Sequence, residues 1–382
     1  MHGRTVSGGG QSILNGVINI WKEKGYSSFH VVYVLRKITG EQKVGHTGTL
    51  DPEVCGVLPV CLGKATKLVG QLTDTDKRYQ CTMILGKRTD TQDLTGTVLE
   101  EISSEEVRSR LQKLAEERTG SGASKGEKFY LRSLERNIDT LEPPDPEHDR
   151  GGQDQNFDMS WVIRQTLEEF QGEILQTPPM YSALKVDGVK LVDAARKGRE
   201  VKRSPRPVRI YSIDDIRISE DLQTIQFNVY CSKGTYIRTL CEDAGEKLGI
   251  PACMSSLERT CASGLDRTTA ITLDQAAEYA RAGVLEDYLI PTDQFLRIYP
   301  AVTVRKDFVR KLIYGNQFRQ EDVLQIRSGE DGSEDCSAER QIFRVYDPAG
   351  IFYALYQYDA QKTCYRCVKM FHTVSESSEH GS

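Results

Sequence analysis

Residues 45–68, GHTGTLDPEVCGVLPVCLGKATKL, set a short polar turn against a long apolar run. Asp51 stands between a Gly/Thr turn and Pro52, whose ring fixes the backbone directly after the carboxylate. Val57, Leu58 and Val60 open a stretch apolar enough for a buried strand. An Asp before a Pro often does no more than cap a turn. Here His46 lies five residues upstream and the apolar strand anchors the loop downstream. A rigid loop at a core edge is a way to present an acid as nucleophile or base.

Outward from this stretch, the pattern resolves into short elements. Residues 13–20 (ILNGVINI) read as a strand, and 27–38 have helical apolar spacing at Val31, Val34, Leu35 and Ile38, with Ser27 or Ser28 as N-cap. Residues 78–85 alternate as a strand, 86–96 (GKRTDTQDLTG) are turn chemistry, and 97–99 resume extended structure. A helix is expected from Ser160 with Gly172 closing it, a strand over 224–231, and a helix over 235–248. Beyond Pro291, residues 300–305, 341–346, 350–358 and 363–371 are short, strand-like and turn-separated, which describes a small β-rich domain.

The chain has 382 residues, 38% of them hydrophobic and 27% charged, which suits a soluble globular protein of two domains. No apolar run approaches the roughly 20 residues of a membrane helix. The start, MHGRTVSGGGQS, has no apolar signal region, so residues 1–12 are expected to be a flexible leader. Ten scattered cysteines fit free thiols in a reducing cytoplasm. Residues 118–159 are rich in Gly, Pro and charge and are expected to be an insertion, and 375–382 a disordered tail. The net charge of −5 resides in residues 101–160, with 14 acidic and 9 basic side chains; the remainder balances at 41 of each sign. Within it, residues 181–211 carry nine Lys/Arg against three Asp/Glu, with a tyrosine at each end. A solvated helix and an edge strand would explain that run, unless a phosphate-bearing partner is implied elsewhere.

Two motifs do not hold up. LGKAT resembles the end of a P-loop, but the gap from Gly56 to Gly63 is too long and Ala65 stands where Ser/Thr is required. Cys364 and Cys367 form a CxxC with no second pair nearby, and the six histidines lack ligand spacing, so no metal is expected.

GHTGTLDP followed by GVLPVCLGKATKL closely resembles the signature of the TruB family of tRNA pseudouridine synthases. The likeness continues through KRYQCTMILGKRTDTQDLTG, PPMYSALKVDGVKLVDAARKGREV and CSKGTYIRTLCEDAGEKLG, covering most of 14–100 and 160–270 in order. The C-terminal unit, ending YDAQKTCYRCVKMF, looks like the family's PUA-type RNA-binding domain. The resemblance implies an α+β fold: a mixed, mostly antiparallel sheet with flanking helices over 13–290, then a β-rich PUA-like domain over 291–374. It implies Asp51 as the catalytic aspartate and Tyr79 as the tyrosine that stacks on the target base and can accept a proton. Arg238 matches the arginine that pairs with the catalytic carboxylate, and His46 the histidine that contacts the displaced nucleotide. Lys67, Asp90, Tyr181, Lys185 and Leu257 fall on blocks lining the RNA cleft. The chain departs from the family at Glu258, where a second arginine is usual, and at 53–55, where Glu-Val-Cys replaces Leu-Ala-Thr.

The implied reaction turns uridine 55 of the tRNA T-loop into pseudouridine, with no redox or phosphoryl step and so no cofactor. A lone carboxylate serves two routes: attack on sugar or base, or abstraction of a sugar proton. The partner is the tRNA T-arm, whose phosphates give the basic run a task; no membrane and no obligate protein partner are implied, and the expected protein is a cytoplasmic monomer. Two other readings stand beside this one. A non-enzymatic tRNA-binding or folding protein would not need Asp51, Tyr79 and Arg238 together, and a glycoside hydrolase would need two paired carboxylates.

Overall fold

Capping and alternation account for the first elements of the computed structural model, which describes residues 14–120, 159–186, 188–330 and 341–372. The expected leader, nearly all of the expected insertion and the expected tail lie outside the described residues. The chain divides into two compact units, Met1–Thr75 with Thr260–Ser382, and Asp76–Arg259.

The first unit begins with β1 (Gly16–Lys22), β2 (Val44–His46) and β3 (Cys55–Leu62). β1 and β2 both run antiparallel to β3, with Lys22 opposite Gly56 and His46 opposite Val60. The Ser27 hydroxyl accepts from the His30 N–H at 3.1 Å and starts the helix Ser28–Thr39, which Gly40 ends in the left-handed region at φ 70°. That helix buries Val31, Val32 and Leu35 against Ile18, Ile20, Leu58 and Val60, the apolar side of the sheet.

The second unit holds β4 (Lys77–Leu85), β5 (Lys87–Thr89), β6 (Val98–Glu101), β7 (Gly172–Gln176), β8 (Lys185–Val186), β9 (Val189–Lys190), β10 (Arg206–Ile218) and β11 (Thr224–Cys231). The last strand is β12 (Ala252–Ala262), whose residues up to Arg259 belong here. The main strand order is β12-β4-β11-β10-β7. On β11 the alternation is clean: Ile225, Phe227, Val229 and Cys231 point inward. The helix Ile237–Leu248 buries Leu240, Cys241 and Ala244, and the Cys241 sulfur lies 3.6 Å from that of Cys81 on β4.

Three local expectations change. Residues 86–96 are not all turn, because Lys87–Glu101 and Arg88–Glu100 ion pairs at 2.9 and 3.4 Å support the β5–β6 hairpin. Gly172 does not close the preceding helix, which ends at Glu168; at φ 109° it opens β7. The strand after the basic run is interior, flanked by β11 and β7, and not an edge.

Back in the first unit, β13 (Leu265–Asp266) pairs with Cys261 and Ala262. A second sheet follows, of β14 (Ala301–Val304), β15 (Val323–Arg327), β16 (Ile342–Tyr346), β17 (Phe352–Asp359) and β18 (Cys364–Met370), in the order β15-β14-β16-β17-β18. β14 and β16 are parallel and the other neighbours antiparallel. Its core centres on Phe318, which stacks on Tyr365 at 4.5 Å between centroids and packs against Tyr356. Leu296, Leu355 and Phe371 share a buried cluster with Val17, Ala65, Leu68 and Leu72, so this sheet packs with the first 75 residues. Among the described residues no helix is long and apolar enough to cross a membrane.

Candidate active site

Both neighbours of Asp51 are tied down. The Leu50 N–H donates to the Ser28 hydroxyl at 2.8 Å, and that hydroxyl lies 3.2 Å from the Leu50 carbonyl, to which it donates. The Pro52 carbonyl accepts from the Gly25 N–H at 2.8 Å and from Lys22 Nζ at 3.2 Å. Lys22 is wholly buried, and its ammonium also donates to the carbonyls of Glu23 and Tyr26 at 3.0 and 2.5 Å. A buried charge is costly unless its donors are matched, and three carbonyls answer the three N–H groups of an ammonium. The Val54 N–H closes the turn onto the Asp51 carbonyl at 3.1 Å. The half-buried Asp51 side chain therefore rides on a backbone fixed at both ends. His46 ends β2, and its Nδ1 lies 3.3 Å from the Gly48 N–H, within the same turn.

In the second unit, Arg238 sits in the first turn of its helix and is buried. Gln176 brackets that helix start, accepting from the Tyr236 N–H at 2.9 Å and donating to its carbonyl at 3.1 Å. The Arg238 guanidinium donates to the carbonyls of Thr91 and Tyr181 at 3.0 and 2.7 Å and lies 3.6 Å from the Asp93 carboxylate. The structure thus joins two expected residues, Arg238 and Tyr181, through backbone, and adds Asp93, which sequence reasoning missed. The acids of TDTQD were visible, but which of them faces a buried arginine depends on the fold. Asp93 is fixed in turn by the Thr91 hydroxyl at 2.8 Å and the Thr95 N–H at 2.9 Å. Gln92 accepts from the Thr239 hydroxyl at 3.1 Å and donates to Glu242. Asp90 instead clamps its own turn, accepting from the Thr97 N–H at 2.8 Å. A Cβ on Gly96 would lie 2.3 Å from that Asp90 oxygen, so only glycine allows the approach.

Tyr79 is half-buried on β4, opposite Val229. Arg259, on the neighbouring β12, is 1% exposed, and its side chain hydrogen-bonds Tyr79. Burial pulls this guanidinium below the usual arginine range, and the charge and hydrogen bond of Tyr79 oppose the fall. Arg259 was the second functional candidate that sequence reasoning missed. Leu257 lies half-buried two residues before it.

The remaining expected residues fall on surfaces. Lys185 is exposed on β8, as are Lys190, Arg196, Lys197, Arg199, Lys202, Arg206 and Arg209; Arg203 donates to the Pro178 carbonyl at 3.0 Å. Lys67 is exposed in the turn Gly63–Leu68, but its Nζ donates to the Met370 carbonyl at 2.7 Å, and Lys369 returns a bond to the Lys67 carbonyl at 3.2 Å.

The architecture is that of pseudouridine synthases. It resembles the solved H/ACA ribonucleoprotein bound to a substrate RNA containing 2′-deoxyuridine: TM-score 0.57, 22% identity, covering 94% of this chain and 86% of that one. It resembles a Cbf5-Nop10-Gar1 complex chain equally, at TM-score 0.57 and 23% identity over 94% and 86% of the two chains. These likenesses concern the fold alone. In sequence, residues 36–129 and 123–237 match the N-terminal domain of the TruB family pseudouridylate synthases, and 238–297 match a tRNA pseudouridylate synthase B C-terminal domain. A tRNA pseudouridine synthase B of Lachnoclostridium phytofermentans is 36% identical over 94% of this chain and 100% of its own. One of Limosilactobacillus reuteri is 34% identical over 94% and 99%. The chain belongs to the TruB family of pseudouridylate synthases and is, with that family, an isomerase.

Proposed function

We propose that the protein converts uridine 55 in the T-loop of tRNA to pseudouridine, with Asp51 as its indispensable acid. The coarser activity, pseudouridylation of tRNA, follows from family membership. The observation that carries the finer reading is the doubly anchored loop: Leu50 through Ser28, and Pro52 through Lys22 and Gly25, hold Asp51 between them. A carboxylate held so firmly spends no reorganisation when it reacts.

The reaction breaks the N1–C1′ bond, turns the uracil and joins C5 to C1′, after which C5 loses its proton and N1 carries one. The base must first leave its stack, at a cost of a few kcal/mol. Stacking on Tyr79 returns about 1–3 kcal/mol of it. Arg238 keeps the role that the resemblance gives it, and His46, Lys67, Asp90, Tyr181, Lys185 and Leu257 line the RNA path. The solvent-facing cations between Lys185 and Arg209 support phosphate contacts along the T-arm. Residues 13–290 act as the catalytic domain and 291–374 as a PUA-like RNA-binding domain, in a monomer that works alone in the cytoplasm.

Purified protein incubated with tRNA tritiated at C5 of uridine tests this. The unaltered chain releases tritium from position 55, and Asp51→Asn binds the tRNA but releases none, with kcat down at least about 10⁴-fold. Release that survives Asp51→Asn sinks the assignment.

A further inference from the structure

We infer that Arg259 is a positioning residue for the reaction, holding the Tyr79 hydroxyl and so fixing where the ring that receives the everted uracil sits. The inference rests on the role proposed above for Tyr79.

Three observations carry it. Arg259 is among the largest fully buried side chains, at 1% exposure, yet stability alone does not call for a buried guanidinium, since apolar replacements of buried ions often stabilise as well or better. Its hydrogen-bonded partner Tyr79 lies on the adjacent strand, β4, so the contact links two rigid elements of one sheet. A guanidinium has donors only, so in this bond the phenol oxygen is the acceptor. That assignment has two consequences. A charge-assisted bond at the far end of the side chain fixes its long axis, which a half-buried ring on a strand would otherwise vary by rotamer. A permanent positive charge also sits against the phenol oxygen, where it stabilises the phenolate, the form of Tyr79 able to take up a proton. With the half-buried Glu258 standing where the resemblance puts a second arginine, Arg259 is the cation that β12 keeps inside the sheet.

The test is a double-mutant cycle on tritium release. Arg259→Met lowers kcat about tenfold or more, with KM for tRNA changed less than about twofold, because a displaced ring misplaces the base without weakening the phosphate contacts. Arg259→Lys, which keeps charge and donor, recovers part of the loss. In a Tyr79→Phe background, which keeps the stacking face and removes the acceptor oxygen, Arg259→Met costs less than about twofold further. Equal losses in both backgrounds overturn the inference and make Arg259 a structural residue only. Should Arg259→Met fail to fold, the same cycle is read with Arg259→Lys, and additive losses overturn it equally. Tyr79→Phe as fast as the unaltered chain removes this inference alone, whereas release independent of Asp51 removes the proposed function instead.

Discussion

The Asp51 loop of the first unit is held through backbone groups, with Ser28, Gly25 and Lys22 gripping the amide and carbonyl of the residues on either side. The Arg238 turn of the second unit is held the other way, by a charged side chain that reaches out to two carbonyls and a carboxylate. The first device grips the backbone on either side of the Asp51 side chain. The second uses the Arg238 side chain itself as the support, so removing its charge also removes what holds the turn. If that contrast is right, substitutions in the two places should split differently between stability and turnover.

The largest effect belongs to Arg238→Gln. It leaves Asp93 as a nearly buried carboxylate without this partner, and the carbonyls of Thr91 and Tyr181 without these donors. Stability should fall by about 3–5 kcal/mol, read from urea unfolding midpoints, and turnover should fall with it. A variant of normal stability would break the comparison. Lys22→Met comes next. Its long apolar side chain fills the same space but takes the ammonium from the carbonyls of Glu23, Tyr26 and Pro52, of which Pro52 keeps the Gly25 N–H, at a cost of about 2–3 kcal/mol. At temperatures where this variant stays folded, kcat should drop about tenfold while tRNA affinity, measured by filter binding, holds. Loss of affinity in step with kcat would mean that the loop supports binding rather than the acid.

The same contrast explains what could be read in advance. The helix Ser28–Thr39 and the strand Thr224–Cys231 fall almost where periodicity puts them, because a local cap and a clean alternation specify each. β10 was legible only as an edge strand ending the basic run, because its 13 residues carry exposed charges and bulges near Asp215, at φ 51°, which erase the period of two and hide its interior place. β12 escaped notice because Ser, Glu and Arg interrupt its apolar pattern, and Arg259 is buried only through a partner on another strand. Asp51, Tyr79 and Arg238 were singled out as candidates through resemblance, as members of motifs. The Asp93–Arg238 pair and the reach of Lys22 to Pro52 were not, because these partners lie 145 and 30 residues apart and only folding brings them together.

The smallest expected effect concerns acidity, and it separates the two devices most cleanly. Asp243 lies on the helix that carries Arg238, and burial, with Glu242 and Glu246 adding repulsion, pushes its carboxyl up from 3.8 to about 6. The folded chain therefore binds more protons than the unfolded one between about pH 4 and about pH 6. The stabilising contribution is complete below that window and is lost as pH rises through it, opposite to the usual behaviour of a salt-bridged carboxylate. Asp243→Asn, which cannot ionise, should raise Tm by about 1–2 °C at pH 8 and by nothing measurable at pH 4. The hydroxyl–backbone bonds at Ser28 do not titrate, so Ser28→Ala should lower Tm by the same amount at both pH values. Differential scanning calorimetry of the two variants at both pH values decides the matter. A pH-independent gain from Asp243→Asn would show that the helix feels packing there rather than charge, and the distinction between a charge-held and a backbone-held site would lose its simplest support.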